Sequence, residues 1–164
     1  MAFFLSEKYA KINSLRKGES LSMRVDLGYY IQMINQIIQD TEAVGEKMNP
    51  KFEEVKKAIE DDQLTSLSSE QLAEILATFN EGTQTYKEYL AKLQGLKAPA
   101  RVIGLHKKLV AAYQKYVQGC LDMIASLEGE VDVDAFNQAE QHQDEATDTI
   151  AFAIQRMTML LMKR

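Results

Sequence analysis

The sequence is poor in the residues that most active-site chemistry requires. It holds one cysteine, Cys120, so no intramolecular disulfide, CxxC redox pair or thiolate metal cage can be built; a reducing compartment fits best. Basic residues are outnumbered, 19 Lys and Arg against 24 Asp and Glu, for a formal charge of -5. A nucleic-acid binder needs a dense basic surface to neutralise phosphates, so this balance argues against nucleic acid as a partner. The longest apolar run near the end, Met159 to Met162, falls far short of the roughly 20 residues of a spanning helix. The opening residues carry too short an apolar run for a signal peptide and meet charge at Glu7 and Lys8. The expectation is a cytoplasmic protein without a transmembrane segment.

Two further shortages concern the fold. Apolar residues nowhere alternate with period two over more than a few positions, there is no glycine-rich loop, and the only prolines, Pro50 and Pro99, sit where helices are expected to start. What the chain has in abundance is helical rhythm. Leu72, Ile75, Phe79, Tyr86, Leu90 and Leu93 form one stripe of about six turns. Val102, Leu105, Leu109, Tyr113, Tyr116 and Cys120 form the next, and Phe136, Ala139, Ala146, Ile150, Ala153 and Met157 the last. Upstream, Leu27, Ile31, Ile34, Ile38 and Val44 predict a helix from Ser20 to about Met48. Asn49-Pro50 then reads as a cap opening a new helix with Phe52, Val55 and Ile59 inward. Ser68 or Ser69 caps the following helix, and Ser6 to Gly18 reads as a short arm. With 46% hydrophobic and 26% charged residues, the chain can bury one core. The predicted fold is all-α, a single domain over 1–164: an antiparallel bundle of about four long helices with additional short ones.

Short connections let neighbouring helices be set in register by folding each hairpin at its midpoint. The hairpin near residues 97 and 98 predicts Gly82 near Tyr113, Phe79 near Tyr116 and Tyr89 near His106. The last hairpin predicts Cys120 level with His142 and Lys115 with Asp148. Arg101, Lys108 and Lys115 are then expected to face Glu140, Asp144 and Asp148 as exposed ion pairs of little energetic weight.

Candidate sites are few. Di-iron bundles use Glu-x-x-His pairs, and the chain has none. In the predicted register its two histidines, His106 and His142, lie roughly 21 Å apart at 1.5 Å per residue, too far to share an ion. Both are expected on partly exposed polar faces, and no metal or cofactor is assigned. Cys120 could pair with His142 as an activated thiolate, but it falls on the apolar stripe and reads as core. Tyr86, Tyr89, His106 and Tyr113 outline an aromatic-lined pocket between helices, set against ordinary packing at the boundary of the core. The two chain ends carry apolar residues beyond one buried stripe: Phe3 and Phe4, and Met159, Leu161 and Met162. These are candidate contacts for a protein partner or a second copy, unless the ends cover each other.

The segment Leu96-Lys97-Ala98-Pro99-Ala100-Arg101, continuing through Leu105-His106, Leu109, Ala112-Tyr113 and Tyr116, resembles a pattern in small helical-bundle proteins of unknown function from Gram-positive bacteria. The resemblance implies a helical fold and brings no activity or residue role. The expected function is a non-enzymatic bundle acting through protein-protein interaction. A small-molecule sensor or carrier stands as the alternative, with a bundle metalloenzyme behind it.

Overall fold

The computed structural model describes residues 21–162, with side chains from residue 27 onward. The predicted arm from Ser6 to Gly18, and Phe3 and Phe4, lie outside the described residues. Four long helices follow one another: α1 (Leu21–Glu60), α2 (Ser69–Gly95), α3 (Ile103–Leu127) and α4 (Val133–Met162). Short 3-10 turns at Leu64–Ser66 and Ala100–Val102 complete the connections, and no strand occurs among the described residues. The fold is an all-α bundle.

α1 corrects the sequence-based boundary. Asn49-Pro50 does not open a new helix; Pro50 lies inside a continuous 40-residue one. An interior proline removes one backbone hydrogen bond and costs about 3 kcal/mol. Packing on both sides of it offsets that loss. Met48, Phe52 and Val55 are all buried, and the Phe52 ring stacks on Phe136 of α4 with centroids 5.8 Å apart. The helix is held to the core before and after the break in its ladder.

The other ends follow local chemistry. Ser68 forms a capping box: its hydroxyl accepts from the Gln71 N–H at 3.0 Å, and the Gln71 side chain accepts from the Ser68 N–H at 2.8 Å. Gly129 leaves α3 with φ +68°, a left-handed conformation that suits glycine. Asp132 opens α4, its carboxylate accepting from the Ala135 N–H at 3.0 Å.

α3 and α4 form the most intimate pair, because small residues face each other between them. A Cβ on Gly119 would meet Cγ of Gln143 at 2.8 Å, and the Gln143 amide donates to the Gly119 carbonyl at 3.1 Å. This is the register predicted for the last hairpin. The preceding hairpin is shifted by about a turn. Tyr86, rather than Gly82, meets Tyr113, and it also meets Tyr116. The 3-10 turn at Ala100–Val102 moves the centre of that connection beyond residues 97 and 98, which slides every pair. Gly82 instead faces α1, where a Cβ would land on the Met48 thioether.

Candidate functional site

Several polar and aromatic groups inside the bundle are engaged with one another. His106, expected on a partly exposed face, is buried. Its Nε2 lies 3.0 Å from the Leu93 carbonyl oxygen; a carbonyl only accepts, so Nε2 carries the proton. Nδ1 is then the acceptor, and it takes the Tyr30 hydroxyl at 2.8 Å. Tyr30 Oη also lies 3.3 Å from the Met157 sulfur. One hydrogen-bonded chain therefore joins α1, α2 and α3, and the Met157 sulfur of α4 lies against its Tyr30 hydroxyl. Burial lowers the His106 pKa against a smaller opposing effect of the Leu93 carbonyl, and burial raises that of Tyr30. Both side chains are held neutral.

The aromatic residues predicted to line a pocket are packed as rings against rings. Tyr86 and Tyr113 are fully buried and meet edge to face at 6.4 Å, with Tyr116 at 5.2 Å from Tyr86. Thr41 donates to the Ile37 carbonyl at 2.7 Å, which leaves the Tyr113 hydroxyl to donate to Thr41 at 2.7 Å. Tyr89 sits at the edge, beneath the Lys92 ammonium at 5.6 Å. His106 is drawn away from this group toward Tyr30. The four residues line none of three grooves found among the described residues.

Cys120 is fully buried, and desolvation pushes its thiol up to about 12. A thiol so placed holds almost no nucleophilic thiolate near neutrality. His142 is exposed on the other side of the helix pair. Among the described residues no three His, Cys, Asp or Glu side chains gather as a cation site. The expected charge stripe is also redistributed: Glu140 pairs with Lys56 of α1, Lys108 lies 4.7 Å over the Phe152 ring, and Arg101 donates to the Leu160 carbonyl at 2.9 Å.

The surface has a pronounced polarity along the bundle axis. The exposed large hydrophobic residues among the described ones are Tyr29, Ile103, Phe152, Met159 and Met162. Tyr29, Ile103, Met159 and Met162 belong to the end where α1 and α3 begin and α2 and α4 finish, and Phe152 lies further back along α4 toward its middle. Met159 and Met162 are 48% and 59% exposed, whereas Leu161 is 8% exposed and turns into the bundle. There it lines an apolar groove of about 440 Å³ with Leu27, Tyr29, Ala98, Pro99 and Arg101. A second groove, about 550 Å³ between α3 and α4, is floored by Ala112, Gly119 and Ala146 and rimmed by Lys115, Asp122 and His142.

Charge follows the same axis. No Asp or Glu occurs in residues 27–39, 89–121 or 149–164, which make up most of the apolar end, while Lys92, Lys97, Arg101, Lys107, Lys108 and Arg156 do; Asp26 lies in the first turns of α1. All but three carboxylates of the chain (Glu7, Glu19 and Asp26) fall in residues 40–88 and 122–148. The net charge of -5 conceals a basic end and a strongly acidic one. Sequence reasoning singled out Met159, Leu161 and Met162 here and passed over Tyr29, Ile103, Lys97 and Lys107. The signal was present in the carboxylate-free stretches, but only the bundle topology brings them to one end. No helix among the described residues is long and apolar enough to cross a membrane. No protein-family model, curated protein or solved structure matches the chain.

Proposed function

We propose that the protein is a non-enzymatic binding module that docks a protein partner on the basic, apolar end of its bundle. The observation that carries this is that Ile103, Met159 and Met162 are exposed at the same end of the bundle as the groove lined by Tyr29, Pro99 and Leu161. Exposed apolar side chains scattered singly over a surface need no explanation; a cluster at one end rimmed by charge marks an interaction surface. The interior supports the same view, since His106, Tyr113 and Cys120 are committed to packing and internal hydrogen bonds.

Charge favours a different protein over a second copy. Two basic ends brought together would oppose Lys97 and Arg101 with their own counterparts. A head-to-tail contact would match charge, but among the described residues the acidic end has no exposed large hydrophobic side chain to fill the groove. The test is substitution of Ile103, Met159 and Met162 by serine, with helicity and melting checked first. The partner that copurifies with the native protein is lost if the proposal holds, and is retained if it fails.

A further inference from the structure

The docking end carries a second layer of information, the sign of its partner. We propose that it binds an acidic amphipathic segment, whose bulky apolar side chains enter the groove while its carboxylates meet the surrounding cations. This rests on the docking function proposed above and adds the chemistry of what docks.

Three observations converge. The groove between Leu27, Tyr29, Pro99 and Leu161 is concave and mainly apolar, so it takes protruding side chains. Its own rim includes Lys97 and Arg101, both exposed, and Lys107 lies exposed on the first turns of α3. Among the residues whose side chains are described, no carboxylate lies in 27–39, 89–121 or 149–164. Asp26, just before Leu27 in α1, is the nearest acidic position in sequence, and the more numerous cations leave this end net positive toward an incoming ligand. Such a field speeds encounter with an acidic ligand and rejects a basic one. A planar anionic bilayer offers the charge but not the relief. Exposed Phe152 lies about 10 Å along α4 from Met159, seven residues at 1.5 Å each, so the apolar surface continues down the flank of the bundle instead of stopping at its tip.

The test measures fluorescence anisotropy of labelled helical peptides against the full chain. All peptides share a leucine- and phenylalanine-bearing face; the opposite face is glutamate in one and lysine in the other. The glutamate peptide is expected to bind and the lysine peptide not. Binding is expected to weaken by about tenfold in the Lys97→Glu/Lys107→Glu variant, and again when salt is raised from about 50 to about 300 mM, where screening shortens the reach of exposed charge. Equal binding of the two peptides overturns the inference. So does binding to vesicles of phosphatidylcholine with one-third phosphatidylglycerol in place of the glutamate peptide. A tenfold gain in peptide affinity in Phe3→Ser/Phe4→Ser full-length protein also overturns it, because the groove would then belong to the chain's own first residues. Serine at Ile103 and Met159 separates the two levels of the account. If these changes abolish peptide binding while charge reversal does not, the acidic partner is wrong and the docking surface stands. If no peptide binds, or neither set of changes matters, both are wrong.

Discussion

The Tyr30 hydroxyl lies 2.8 Å from Nδ1 of His106, a residue 76 positions later in the chain. Because His106 Nε2 also donates to the Leu93 carbonyl at 3.0 Å, this pair ties α1, α2 and α3 together near the apolar end, with the Met157 sulfur of α4 in contact with the Tyr30 hydroxyl at 3.3 Å. It lies beneath the proposed docking surface. Tyr30→Phe keeps the ring and removes the hydroxyl, leaving Nδ1 buried without its donor. The expected loss is about 1–3 kcal/mol, the cost of an unsatisfied buried polar group, read from urea unfolding with an unchanged m-value.

The same pair makes stability depend on pH in a predictable direction. Burial holds the His106 pKa below its ordinary value, so the unfolded chain binds the proton more readily than the folded one. Stability is then fully present above the unfolded pKa of about 6.5 and falls as pH drops through the window down to the folded pKa. Asp144 and Glu42 act in the opposite sense. Their carboxyls are raised by burial first, and then by neighbouring Glu140 and Glu46 respectively, so they favour the folded state at low pH. The clean readout is therefore a difference: between pH 7 and 5, native protein should lose more stability than His106→Gln. An identical pH profile for the two would show that His106 does not carry the effect.

Gly82 and Met48 are coupled by contact. A Cβ at residue 82 would fall on the Met48 thioether, and Met48 is itself buried between α1 and α2. Gly82→Ala should cost about 1–3 kcal/mol through overpacking. Combined with Met48→Ala, which vacates that space, the loss should be smaller than the two single losses added, as a double-mutant cycle measures.

The rhythm of apolar residues revealed most of the fold because 3.6-residue periodicity is a local property. The stripes of α2, α3 and α4, a serine cap at Ser68 or Ser69 and the register that sets Gly119 against Gln143 were all legible in it. What was not legible depended on distant packing. Pro50 carries the same local signal inside a helix as at its start, and only the burial of Met48 and Phe52 against other helices decides between them. His106 gave no sequence sign of its burial, since its partners Tyr30 and Leu93 lie on two other helices. The apolar end was half visible: Met159 and Met162 stood out as surplus apolar residues, while Tyr29, Ile103 and the cations required the topology to be assembled.

Cys120 offers a direct report on core integrity. Fully buried and with its thiol pushed up to about 12, it should not react with Ellman's reagent in native protein, and its labelling should rise in step with global unfolding. Rapid labelling under native conditions would show that the α3 core opens locally.

The central claim is that one end of the bundle is built to receive another protein. Site-specific photocrosslinking in the cell of origin tests it most directly, with a benzophenone amino acid placed at Ile103, Met159 or Met162 and, for comparison, at exposed Glu53 and Asn137. The account predicts discrete adducts of higher mass from the first three positions and none from the other two. Adducts of equal yield from both sets, or none from Ile103, Met159 and Met162, would contradict it.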